Sequence, residues 1–175
     1  MNEKETEGGE KTLASIVHRI AGLLSHGGGI LTTGDVASLR RMDPHRIDSP
    51  GFYKLAAAVL DQDLHGDTET RWAALMVGLA HLGDLNRPGA RLGHALVEAG
   101  LSELRFSRLI RADAERLLDE IPAIARFLAA KGVAADFADA AYLLLSAGRK
   151  DEETTRRHLA RDYYGALERA KTSNP

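Results

Sequence analysis

Arginine recurs at three-residue steps in residues 101–113, where Arg105, Arg108 and Arg111 are interleaved with Phe106, Leu109 and Ile110. At about 100° per residue, the apolar side chains, with Leu117 beyond them, fall on one side of a helix, while Arg105, Arg108, Arg111 and Arg116 spread over the other. A guanidinium stays charged and donates in a planar fork that matches phosphate oxygens, so such a face could hold a nucleic-acid backbone. Paired with Glu115 and Asp119, the same arginines would form an ordinary solvated helix face.

Other basic clusters follow the same logic. They are Arg40-Arg41 with Arg46, Arg126 with Lys131, Arg149-Lys150, and Arg156, Arg157 and Arg161 beside Tyr163 and Tyr164. Arg157, Arg161 and Tyr164 stand at i, i+4 and i+7, a face on which an unpaired base could stack. Each cluster alone also fits a solvated surface, particularly where the acids at 151–153 can neutralise Arg149 and Lys150. They become one interface only if folding gathers them.

The catalytic alternatives fail on their spacing. Residues 61–66 open like a calcium loop, but its twelfth position, which needs a bidentate carboxylate, is Trp72. His26-Gly27-Gly28-Gly29 resembles an oxyanion loop without any Gly-x-Ser-x-Gly elbow, and no Gly-x-x-x-x-Gly-Lys-[Ser/Thr] phosphate cradle occurs. The 7 histidines include no His-x-x-x-His pair. No catalytic residue, cofactor or metal site is expected, and the chain reads as non-enzymatic.

The elements that must position the arginines are helices. Apolar spacing of helical period marks Leu13 to Leu24, Val36 with Leu39, Phe52 to Leu60 behind Ser49-Pro50, and Trp72, Leu75, Met76 and Leu79. Residues 92–99 form a short helix ended by Gly100, and Ser102 caps the arginine helix. Pro122 is expected to interrupt or restart that helix, and Lys131-Gly132 to close it. Helices led by Asp136 and Asp151 complete the chain, the second burying Leu159, Tyr163, Ala166 and Leu167. The expected fold is all-α, a compact bundle of about eight to nine helices in two packed halves. It comprises one domain over residues 11–170 with a candidate internal boundary near 83–90, after an acidic, disordered tail over 1–10.

The 175 residues are enough for one good core, no cysteine is present, and no apolar run is long enough to span a bilayer, so a cytoplasmic protein is expected. The net charge is −2, but Glu3, Glu5, Glu7 and Glu10 outweigh Lys4 in the tail and leave a nearly neutral body. Affinity for nucleic acid scales with the phosphates neutralised, so such a body binds weakly alone and suits a helper subunit.

Four segments in order resemble a known family: Arg40-Arg41, then Ser49-Pro50-Gly51-Phe52-Tyr53-Lys54-Leu55, then Ala90-Arg91-Leu92-Gly93-His94-Ala95-Leu96, then residues 102–113. Together with residues 156–164 they are similar to the CasB family, the small subunit of the type I-E CRISPR surveillance complex Cascade, over about residues 12–168. The resemblance implies a helical, non-catalytic subunit, in two copies, that contacts the backbone and large subunits and a second copy of itself. It also implies that the subunit holds the displaced non-target DNA strand during R-loop formation, near the crRNA and away from any membrane. Carried over by position, the family's nucleic-acid face includes Arg40, Arg41 and Arg111, and Arg149 and Lys150 match its basic turn. Arg105, Arg108, Arg126, Arg157 and Arg161 join on helical geometry here. The competing expectation is a helical protein–protein adaptor whose arginines pair with acidic partner surfaces and never touch nucleic acid.

Overall fold

The computed structural model describes residues 12–25, 29–60 and 64–173. The acidic tail, the His26-Gly27-Gly28 part of the glycine run and the Asp61-Gln62-Asp63 opening of the calcium-like loop lie outside them. Among the described residues the fold is all-α: α1 (Leu13–Ser25), α2 (Thr33–Arg41), α3 (Pro50–Val59), α4 (Gly66–Leu82), α5 (Leu92–Glu98), α6 (Glu103–Arg111), α7 (Ala114–Lys131), α8 (Ala138–Ser146) and α9 (Glu152–Thr172). A single 3-10 turn, Gly83–Leu85, follows α4, and two isolated β-bridges replace any strand.

Local chemistry explains several boundaries. Thr32 accepts a hydrogen bond from the Asp35 amide while the Asp35 carboxylate accepts from the Thr32 amide, a reciprocal cap that starts α2. Proline takes the first position of α3, where its missing N–H costs nothing. Gly132 ends α7 in the left-handed region, at φ 67° and ψ 23°, as the Lys131-Gly132 signal predicts.

α4 is the axis of the bundle. Trp72, Leu75, Met76 and Leu79 are core residues as their spacing predicts, yet every residue from Arg71 to Ala80 is buried, so α4 has no wet face over that stretch. Small residues on its other side, Ala73, Ala74 and Gly78, let neighbours approach closely. It packs on α7 most extensively, and also on α1, α2 and α8, while α5 packs on α9. Arg71 is buried with it. Its guanidinium donates to the carbonyls of Leu144 (3.1 Å) and Ala147 (2.7 Å), orphan acceptors at the end of α8, and meets the Asp67 carboxylate at 3.2 Å.

Residues 83–90 are tied down rather than loose. Arg87 donates to the Ala135 carbonyl, Ala135 donates to that of Leu85, and the Asn86 side chain accepts from Phe137. Asp136 accepts from the amides of Gly89 (2.7 Å) and Ala138 (3.0 Å) and contacts His18 at 2.9 Å. Partial burial of Asp136 opposes its ionisation, but the Gly89 amide, His18 and the Ala138 amide together hold its carboxyl below the usual range. Buried side chains from both sides of this segment, Val17 to Tyr163, form one cluster.

The arginine helix departs from expectation in one respect. It ends at Arg111, not at Pro122. Ala112 is extended, and Asp113 starts α7 by accepting from the Arg116 amide at 2.9 Å. α7 then runs straight through the buried Pro122. Arg116 and Leu117 therefore belong to a different helix from Arg105, Arg108 and Arg111.

Candidate nucleic-acid interface

The candidate interface is built around α6. Ser102 caps it by accepting from the Arg105 amide, Phe106 and Leu109 point into the core, and Arg105, Arg108 and Arg111 stay exposed. Phe106 stacks flat on Tyr163 of α9, with centroids 3.8 Å apart, and the Tyr163 hydroxyl donates to the Leu101 carbonyl at 2.6 Å. Tyr164 meets the same phenyl ring edge-on at 5.7 Å. Arg156 completes the clamp by donating to the carbonyls of Ile110 and, at 2.7 Å, Ala112, while Glu152 holds its guanidinium at 2.5 Å. On the other flank the Arg105 guanidinium lies 5.0 Å from the Phe127 ring centroid of α7. α6 thus bridges α7 and α9 through side chains.

A second group gathers where α2, α4 and α7 meet. Arg40 spends one of its five donors on the Ala80 carbonyl at 2.7 Å, leaving its forked end for other partners. His81, next along α4, titrates below its ordinary value because of burial first, then the Arg126 charge, with Arg40 adding to the repulsion. Its Nε2 is buried without a hydrogen-bond partner among the described residues. Both charges bear on His81, although Arg40 and Arg126 come from opposite halves of the sequence.

All ten expected contact residues are exposed: Arg40, Arg41, Arg105, Arg108, Arg111, Arg126, Arg149, Lys150, Arg157 and Arg161. The acids that looked ready to neutralise them are mostly engaged elsewhere. Glu115 and Asp119 sit 3.3 and 3.4 Å from the two ring nitrogens of His45. Glu152 is occupied by Arg156 and by the Gly148 amide at 2.7 Å, which hold its carboxyl below the usual range, the Gly148 contact foremost, so it does not neutralise Arg149 or Lys150. Arg157 is the exception, paired with Glu153 at 2.5 Å. Among the described residues no carboxylate lies within ion-pair distance of the other nine.

The groups do not all touch one another. No hydrogen bond or ion pair among the described residues joins the Arg149-Lys150 turn to Arg41 or to Arg40, whose own link is to Ala80 on α4. Three residues outside the ten expected contacts also belong to this region: Arg116 and Arg156, which the sequence marks as basic, and Leu104, which it does not mark as a contact. Arg156 is an anchor rather than a surface cation, Leu104 is an apolar side chain on the arginine face at 65% exposure, and Arg116 adjoins Arg108 and Arg111 across the α6–α7 corner. The signal for Leu104 was available, since it breaks the polar pattern of that face.

Among the described residues no three carboxylate or imidazole groups are placed to hold a metal ion, and no helix is long and apolar enough to cross a membrane. The family model for the CRISPR-associated protein Cse2 matches residues 35–164, which takes in α3 to α8 complete and most of α2 and α9. The chain belongs to the Cse2 family. This is the type I-E Cascade family that the sequence resembles under the name CasB, so the chain is a subunit of a CRISPR Cascade complex. Cse2 is a structural Cascade family and is not known as a catalytic one. No curated protein and no solved structure matches the chain significantly.

Proposed function

We propose that this Cse2-family subunit holds the displaced non-target DNA strand within Cascade, stabilises the R-loop, and bridges the backbone and large subunits as one of two copies. A single folded domain over residues 11–170 does this in the cytoplasm, without catalysis. The supporting observation is that nine of the ten exposed cations have no carboxylate within ion-pair distance among the described residues, while Glu115 and Asp119 lie against His45 and Glu152 and Glu153 pair with Arg156 and Arg157. Unneutralised guanidinium groups on a rigid helical body attract phosphate without first breaking an internal ion pair.

The energetic demand is small. Replacing a DNA duplex by an RNA–DNA hybrid is close to balanced, so a few backbone contacts to the freed strand tip the exchange. Arg41, Arg108 and Arg111 are the most informative to remove, being exposed and free of internal hydrogen bonds among the described side chains. Their joint replacement by alanine weakens R-loop formation by assembled Cascade while the subunit still co-purifies with its partners. If the variant subunit instead drops out of the complex, the protein–protein adaptor reading replaces this one.

A further inference from the structure

The corner between α6 and α7 holds a depression of about 260 Å³ whose composition differs from the rest of the basic surface. Arg108 and Arg111 line it from α6 and Arg116 from the first turn of α7, so three arginines border one small volume. None of the three has a carboxylate partner among the described residues. Leu104, 65% exposed and also lining it, supplies an apolar wall that a site for phosphate alone has no use for. The Ser107 hydroxyl adds a neutral donor and acceptor. Asp113 also borders the depression, but its Oδ1 accepts from the Arg116 amide, and the positive end of α7 offsets its charge.

An apolar wall beside a cationic cluster matches a ligand that is anionic at one end and flat and apolar at the other. We infer that this corner seats one unpaired nucleotide of a single strand, its phosphate among Arg108, Arg111 and Arg116 and its base against Leu104. The inference rests on the strand-binding role proposed above and deepens it. It assigns Leu104 and Arg116 to binding, and it requires an unstacked base, which duplex DNA does not offer. Contact with a base face rather than an edge makes the site tolerant of sequence.

The test measures binding of the full chain at low salt to oligothymidylate and to an abasic oligomer of equal length and charge, by fluorescence anisotropy. The wild type binds oligothymidylate more tightly than the abasic chain. Leu104→Ala, exposed and harmless to folding, weakens oligothymidylate binding about fivefold and leaves abasic binding unchanged. Arg116→Gln weakens both and flattens the salt dependence by about 0.7 in logarithmic slope. Equal wild-type affinity for the two oligomers, or a Leu104→Ala chain that binds oligothymidylate normally, overturns the nucleotide seat and leaves the strand-binding role standing. Absence of binding to either oligomer, by the chain and by assembled Cascade, overturns both.

Discussion

Arg156 and Arg157 are neighbours on α9, each paired at 2.5 Å with a glutamate four residues earlier, yet their replacement by alanine has different consequences. Arg157 and Glu153 are 71% and 76% exposed, and such a pair contributes about 0.5 kcal/mol or less. The Arg156 side chain is 17% exposed and also donates to the carbonyls of Ile110 and Ala112, at the point where α6 ends and α7 is about to start. Removing it strands two acceptors at a helix end and leaves Glu152 without its partner. Charge-assisted hydrogen bonds contribute about 1.5–3 kcal/mol each, and water reaching the partly open carbonyls offsets some of the loss, so the net cost is about 2–4 kcal/mol. With a urea dependence of about 2 kcal/mol/M, the unfolding midpoint falls by about 1–2 M. Far-UV circular dichroism during urea titration reads it directly, with Arg157→Ala as the internal control. Arg156→Lys falls between, because one ammonium cannot span both carbonyls. Equal midpoints for the two alanine variants would refute the claim that Arg156 anchors the arginine helix.

Three further outcomes follow from packing and titration. A Cβ on Gly93 would sit 2.6 Å from the Tyr163 amide nitrogen and 2.8 Å from the Asp162 Cβ, so Gly93→Ala forces α5 from α9 and costs about 1–3 kcal/mol, read as a lowered thermal midpoint. His81 is held neutral by burial and then by the Arg126 and Arg40 charges. The unfolded chain therefore takes up the proton first, and stability falls as pH drops below the ordinary histidine value of 6.5. His81→Leu flattens that part of the stability profile, and an unchanged slope contradicts the account. Asp35 is lowered to about 2 by its bond from Lys54 first, at 2.7 Å, then by Thr32. Its stabilisation is present above 3.8 and lost as pH falls from there towards 2, a loss that Lys54→Met reduces in acid-denaturation curves.

The helices and their glycine stops are written in local chemistry, and so the all-α architecture, the Gly100 and Gly132 endings and the Ser102 cap are legible in the chain. The α6–α7 corner is not. Leu109 and Leu117 stay in helical phase across it, which hides the break, and only the Asp113 cap, itself a common surface residue, betrays it. Pro122 misleads for the opposite reason. An interior proline costs a helix about 3 kcal/mol, yet here it lies among Leu118, Ile121 and Ile124, and burial on α4 outweighs that penalty. The arginines themselves are visible, but their availability is not. Whether Glu115 faces Arg111 or His45 depends on where residues 43–48 pass, a long-range matter that spacing along one helix cannot encode. The same holds for Arg156, whose carbonyl partners lie 44 and 46 positions away.

In the proposed role the exposed, unneutralised arginines of α2 and α6 touch the displaced DNA strand. A photo-crosslinking amino acid at position 41 or 108, in Cascade assembled on a target whose two strands carry different labels, tests it most directly. Covalent capture of the non-target strand is expected at both positions, diminishing as salt rises. Crosslinks to partner subunits alone, with neither DNA strand labelled, would contradict it.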